Sequence, residues 1–275
     1  MGFARRERFP WQLRSRRLSL GERTLVMGIV NATPDSFSDG GHYDPVAHGL
    51  RLLEEGADIL DLGGESTRPG GAGEVSGEEE QSRVLPVIKA LAKAGAVVSV
   101  DTYRASTARL AIEAGAEIVN DVSGLLWDPE MASTCRALGC GVVVMHTRGK
   151  PSEWATLPPM TAIVPTVVRE LQQRIAESGI ARDRLIVDPG FGFGKRGEEN
   201  FTLMAGLEGL KEIGLPIMAG ASRKGFLGGE VRDREFATVA MHTAAILSGA
   251  HVIRVHNVKA AVQGALIADA ILLGL

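Results

Sequence analysis

The sequence predicts one α/β domain folded as a (β/α)8 barrel, and three observations predict it. Eight short apolar runs begin at residues 25, 59, 96, 118, 142, 185, 216 and 252. Their spacing, from 22 residues (96 to 118) to 43 (142 to 185), is that of a strand plus the crossover helix that parallel strands require. The runs are apolar without alternation, as strands buried on both faces are. Nearly every run also ends in a polar residue able to bind or react, at the strand end where α/β folds build their sites. An open, doubly wound sheet is the alternative, because a linear pattern does not show closure.

The elements follow in order. Residues 1–23 form an N-terminal extension; Met1–Arg17 is Arg-rich but has no continuous apolar stretch, so it is not a secretory signal. Trp11 and Leu13 alternate with polar residues, which predicts a short strand or hairpin over the barrel bottom. The barrel domain spans 24–275. Leu25–Val30 ends at Asn31, and Pro45–Glu55 follows with Val46, Leu50 and Leu53 at helical spacing. Ile59–Leu60 ends at Asp61, with Glu65, Thr67 and Arg68 just after. Glu78–Ala94 opens with acids, which suit a helix N-terminus, and carries Val84, Leu85, Ile88 and Leu91. Ala96–Val100 ends at Asp101, Ile118–Val119 at Asn120 and Asp121, Val142–Met145 at His146, and Leu185–Val187 at Asp188. Pro216–Ala219 leads into Ser222, Arg223 and Lys224, and Val252–Ile253 into Arg254 and His256. Helices over Arg104–Ala114, Ile163–Ser178 and Glu235–Ser248 each close on a glycine, the usual C-cap, and a last helix covers Val258–Leu272. Two long connections rich in Gly, Ser and Pro, Asn31–Asp44 and Gly63–Gly77, follow strands and read as lids on the catalytic face. Trp154–Pro159 is a plainer loop.

Bulk properties exclude several classes. Of 275 residues, 45% are hydrophobic and 23% charged, which leaves ample material for a core. The formal net charge of −3 gives no electrostatic case for nucleic acid or an anionic membrane, so an anionic ligand must meet a local positive cluster. No apolar run is long enough to span a membrane. Cys135 and Cys140 lack metal-ligand spacing and read as reduced, buried or half-buried thiols of a cytoplasmic protein.

Five stretches carry the chemistry: Asn31-Ala-Thr-Pro-Asp35-Ser-Phe37-Ser-Asp39-Gly-Gly41, Asp61-Leu-Gly-Gly-Glu65-Ser-Thr67-Arg68-Pro69-Gly70, Asp188-Pro-Gly-Phe-Gly-Phe193-Gly-Lys195, Gly220-Ala-Ser222-Arg223-Lys224-Gly225 and Arg254-Val-His256. In this order, over about residues 24 to 260, they resemble the dihydropteroate synthases of the pterin-binding enzyme family. The resemblance implies that a dihydropterin bearing a hydroxymethyl diphosphate condenses with p-aminobenzoate, releasing dihydropteroate and diphosphate in folate biosynthesis.

That reaction needs three binding regions. A pterin edge presents several N–H donors, which Asp101 and Asp188 accept, while Asn120 both donates and accepts and Lys224 donates to a ring carbonyl or nitrogen. Arg254 is planar and suits the ring face. The diphosphate suits magnesium (Mg2+), for which the family uses the residue matching Asn31, with Thr67, Arg254 and His256 meeting phosphate oxygens. The p-aminobenzoate carboxylate suits the N-terminus of a helix after Lys224, near Ser222 and Gly225, and its ring suits Phe193 and Pro69 under Arg68. This arylamine pocket makes sulfonamide binding an expectation.

Diphosphate is expected to leave first or largely first, with Lys224, Arg254, His256 and Asp101 as catalytic groups and the lid residues Asp35, Phe37, Asp39 and Arg68 excluding water. Two departures from the family pattern are Gly225, where Ser is common, and Asn257, where Asp is common. Gly192–Gly197 matches a dinucleotide fingerprint but lies in the wrong unit, and His242 reads as a packing residue. A pterin-binding methyltransferase domain and a non-catalytic pterin-binding paralogue share the fold and stand as alternatives. The resemblance also implies a homodimer formed through helices away from the catalytic face.

Overall fold

The computed structural model describes residues 3–32, 44–65 and 75–275. An antiparallel hairpin, β1 (Phe9–Gln12) and β2 (Arg17–Leu20), precedes the barrel. The alternating units are β3 (Leu25–Asn31), α1 (Pro45–Glu54), β4 (Ile59–Gly63), α2 (Gly77–Lys93), β5 (Val98–Asp101), α3 (Ala105–Glu113), β6 (Ile118–Asp121) and α4 (Met131–Leu138). They continue as β7 (Gly141–Met145), α5 (Ile163–Ser178), β8 (Leu185–Asp188), α6 (Gly197–Ala205), β9 (Met218–Ala219), α7 (Glu235–Leu247), β10 (Val252–Val255) and α8 (Val258–Leu273). Hydrogen bonding runs β8-β7-β6-β5-β4-β3-β10-β9, with each pair parallel. A bridge between Val187 and Ile217, with Val187 N–H donating to Pro216 O at 2.9 Å, joins β8 to β9 and closes the ring. The predicted barrel is therefore the observed fold, and closure excludes the open sheet.

Two helices lay outside the sequence expectation. α4 is only eight residues long and carries Ser133 and Thr134 in its middle, weak helix formers that mask the apolar stripe. α6 opens on a glycine, and what fixes its start is the Glu199 carboxylate accepting from Arg196 N at 2.7 Å. The strands also reach further than their apolar runs. Asp61, Asp101, Asn120, Asp188 and Arg254 belong to strands, not to the loops after them.

This extension decides where those side chains point. Alternate strand residues face the barrel interior, and each inward row changes from apolar to polar along the strand. Ile59 is followed by Asp61, Ile118 by Asn120, Ile186 by Asp188, and Val252 by Arg254. The lower residues, with Met27, Val143 and Met218, form an apolar layer inside the barrel. A separate, larger core lies between the strands and the surrounding helices.

The hairpin closes the apolar layer from below. Trp11, Leu13 and Leu20 are fully buried against it, and the Trp11 indole N–H donates to Arg184 O at 3.0 Å. A Cβ at Gly141 would lie 2.6 Å from Leu13 Cδ2, so a larger residue at the foot of β7 would push the Leu13 methyl out of its packing. Arg6 and Thr24 both bond to Asp269 of α8, which fastens the segment before the barrel to its last helix. Trp11→Ala is expected to cost about 3–5 kcal/mol. Urea unfolding measures it, and a loss below about 1 kcal/mol would show that the hairpin is not a structural plug.

Candidate active site

The polar inward ends of the strands meet above the apolar layer. Arg254 of β10 reaches across the barrel, its Nε 2.5 Å from Asp61 Oδ2 and an amino group 2.5 Å from Asp101 Oδ2. Asn120 of β6 donates its side-chain N–H to the same Asp61 oxygen at 2.9 Å. Asp61 has no exposed surface, and its second oxygen is a buried acceptor without a hydrogen-bond partner. Burial pushes Asp101 up to about 7; Arg254 opposes this and the neighbouring Asp61 charge adds to it. For Arg254 burial favours the neutral form, but Asp61 and Asp101 outweigh it and raise the guanidinium above its ordinary range.

A second group lies beside the first. Asp188, at the end of β8, accepts from Gly190 N at 2.6 Å, and burial raises its carboxyl against the pull of Lys224. Lys224 donates to Phe191 O at 2.5 Å, and its ammonium sits 4.0 Å from the centre of the Phe193 ring. Burial lowers Lys224 to about 7, with Asp188 working the other way. The Phe193 ring meets Trp154 edge-on at 5.3 Å. Ser222 Oγ and His256 Nδ1 are 2.9 Å apart, and His256 N–H donates to the same hydroxyl at 3.2 Å. Between Ser222 and Lys224, Arg223 holds a left-handed φ of 56°, braced by its N–H to Thr238 Oγ1 at 3.0 Å and its guanidinium to Glu235.

These groups surround a cleft of about 650 Å³. Of the sequence-predicted residues, Asn31, Asp101, Phe193, Ser222, Lys224, Gly225, Arg254 and His256 line it. Asn120 and Asp188 are buried behind its wall, next to Asp61 and beneath Gly220. Asp35, Phe37, Asp39, Thr67, Arg68 and Pro69 lie outside the described residues.

One expectation is corrected. The segment after Lys224 is not an α-helix but a three-residue 3-10 turn, Gly225–Leu227, and the next α-helix begins only at Glu235. The two glycines Gly228 and Gly229, both at positive φ, interrupt the stretch before a helix can grow. A Cβ at Gly225 would meet nothing within 4 Å, so the missing family side chain leaves space and no strain.

Sequence reasoning missed the central acid. Asp61 was visible as a strand-end carboxylate, but only the structure shows that Arg254 and Asn120 converge on it. Also missed were Lys195, which lines the cleft, and Glu65, which lines it while accepting from Arg104 at 2.6 Å. Among the described residues no group of three or more His, Cys, Asp or Glu could hold a metal ion. A divalent cation with one protein oxygen, from Asn31 in the cleft lining, and otherwise substrate phosphates and water would fit this donor set.

Comparison with known proteins agrees with this layout. The family model for pterin binding enzymes matches residues 27–256. The dihydropteroate synthase of Bacillus subtilis is 42% identical over 264 residues, covering 93% of this chain and 91% of that one. A structure of Xanthomonas albilineans dihydropteroate synthase with 4-aminobenzoic acid superposes with a TM-score of 0.89 at 43% identity, covering 96% of this chain and 98% of that one. The same enzyme with 7,8-dihydropteroate gives a TM-score of 0.83 at 41% identity, covering 94% and 96%.

The Asp101 carboxyl carries a pH signature. Its folded pKa of about 7 lies above the ordinary 3.8, so the stability it contributes is complete below about pH 4 and is lost as pH rises through about 7. Asp101→Asn is expected to remove that decline, measured as unfolding free energy between about pH 4 and 8. An unchanged slope in the variant would assign the titration to another group.

Proposed function

The chain belongs to the pterin-binding enzyme family, within it to the dihydropteroate synthases, and from that premise we propose how its cleft works. It is a transferase that condenses 6-hydroxymethyl-7,8-dihydropterin diphosphate with p-aminobenzoate to give 7,8-dihydropteroate and diphosphate. The observation that carries the proposed mechanism is the crowding of two cations, Lys224 and Arg254, and two carboxylates, Asp101 and Asp188, around one cleft beside an aromatic platform, Phe193.

In this reading the pterin edge donates to Asp101 and Asp188, with Asn120 beside them and the Lys224 ammonium facing a ring acceptor. The diphosphate meets the Arg254 N–H groups left over from Asp61 and Asp101, together with His256 and Thr67, while the p-aminobenzoate carboxylate lies against the Ser222–Gly225 turn. A magnesium ion held by Asn31 and the substrate phosphates would supply positive charge for the departing diphosphate. The C–O bond to diphosphate breaks, and the positive charge left on the exocyclic carbon is delocalised into the pterin ring. Arg254 and His256 stabilise the charge developing on the leaving group. The weakly nucleophilic arylamine, held on Phe193 and Pro69 under Arg68, then forms the C–N bond and releases its proton. Asp35, Phe37 and Asp39 exclude water in this scheme.

We further assign residues 1–23 to an extension and 24–275 to one barrel domain. No described helix is long and apolar enough to cross a membrane. The two free, buried cysteines suit a reducing cytoplasm. The outer face of α8 exposes Leu266, Ile267 and Ile271, which suits a second copy of the chain and thus a homodimer away from the cleft.

Diphosphate release with and without p-aminobenzoate tests the function. Release coupled to dihydropteroate formation, and lost without magnesium, is expected, with Lys224→Ala lowering kcat/KM by at least about 10²-fold. Pterin binding without release in the wild-type protein would point instead to a binding paralogue. The dependence of kcat/KM on pH is expected to be a narrow bell. Its acid limb comes from protonation of Asp101 below about 7 and its alkaline limb from proton loss by Lys224 above about 7. Asp101→Asn should remove the first limb and Lys224→Arg the second.

A further inference from the structure

Lys195 ends the Asp188–Lys195 stretch and is buried at 7% exposure, yet nothing in the mechanism above uses it. Its ammonium donates to three carbonyls: Gly190 O at 2.8 Å, Phe193 O at 3.3 Å and His146 O at 3.3 Å. Two of these belong to its own loop, and the third is just past the end of β7. The loop and that strand end touch so closely that a Cβ on Gly190, at φ +67°, would stand 1.9 Å from His146 O. His146 N–H in turn donates to Asp188 O at 2.8 Å. Asn200 of α6 grips the same loop from its other side, accepting from Gly192 N at 2.6 Å and donating to Lys195 O at 3.2 Å and Arg196 O at 2.7 Å. Phe193 hangs between these two anchors. Its carbonyl is held by Lys195, while its ring covers Lys224 and meets the edge of Trp154.

A buried ammonium is unfavourable unless its donors are satisfied, and here all three partners are backbone carbonyls; a neutral apolar side chain would leave His146 O and Phe193 O without this donor, while Gly190 O keeps the Phe193 N–H at 3.1 Å. The Lys195 head group lies where the loops after β7 and β8 meet, so it fixes their spacing. We propose that Lys195 is a positioning residue that sets the place of the Phe193 ring and thereby the selectivity of the cleft for a flat arylamine, while the pterin end depends on it little. The inference rests on the function proposed above and deepens it. The pterin carboxylates Asp101 and Asp188 accept no hydrogen bond from Lys195, whose ammonium acts on Asp188 only through space, whereas the arylamine platform stands on the loop whose carbonyls it holds.

The test separates the two ends of the site. In Lys195→Met, KM for p-aminobenzoate and the inhibition constant of a sulfonamide are expected to rise together by at least about tenfold, while the Kd of the dihydropterin diphosphate, measured by calorimetry, stays within about twofold. A KM for p-aminobenzoate within about twofold of wild type overturns the proposal, and so does a parallel loss of pterin affinity, which would mark a purely structural role. If Lys195→Met does not fold, Asn200→Ser, which frees Gly192 N–H on the other side of the loop, must give the same split or the proposal fails. Direct binding of p-aminobenzoate in the presence of pterin and diphosphate is measured alongside. Wild-type protein that binds the arylamine without turnover defeats the function and leaves the binding comparison to decide the role of Lys195; wild-type protein that binds no arylamine defeats both.

Discussion

The upper interior of the barrel depends on one guanidinium shared by two carboxylates. Asp61 and Asp101 lie on neighbouring strands with their side chains turned inward, and without a cation between them two buried negative charges would repel strongly. Arg254 spans the gap at 2.5 Å to each. The pairing holds β10 in register with the site and keeps a cation inside a chain of net charge −3. It also divides the labour of the acids. Asp61, fully enclosed and bonded by Asn120 as well, anchors the cation, whereas Asp101 opens onto the cleft. Losing one member of such a set leaves the others uncompensated, at a cost of about 3–5 kcal/mol, so the three residues behave as one unit.

Lys224 follows the same logic at the other side of the cleft. Its ammonium is desolvated, faces Asp188, and is covered by an aromatic ring. The two cations thus differ: Asp61 and Asp101 hold Arg254 charged above its ordinary range, whereas burial brings Lys224 down to about 7. A focused positive pair of this kind can receive an anionic leaving group without a basic surface, consistent with the absence of any large net charge.

Much of this was legible in the sequence because the barrel repeats one rule. Unbroken apolar runs at crossover spacing gave the strands, and the residue after each run marked polar groups that the fold brings to or beside one cleft: Asn31, Asp101, Asn120, Asp188, Arg254. What escaped was information that period and spacing do not hold. Asp61 read as one strand-end acid among several because its partners come from strands 59 and 193 residues further along. The turn at Gly225 read as a helix start because a Lys-Gly sequence does not reveal that two later glycines stop propagation. Lys195 read as part of a glycine-rich loop, since its meaning lies in the carbonyls it gathers. Short helices such as α4 and α6 are set by packing and one capping carboxylate more than by propensity.

The hairpin at the barrel bottom imposes an order on folding. Trp11 emerges during synthesis well before its acceptor at Arg184, and Arg6 well before Asp269, partners separated by 173 and 263 residues. Until those partners arrive, Trp11, Leu13 and Leu20 have no barrel to plug. Contacts of such long sequence separation slow the conformational search, because loop-closure entropy must be overcome before they reward it. The hairpin is therefore placed late relative to its own synthesis, and its apolar side chains stay uncovered until the strands they plug have been made.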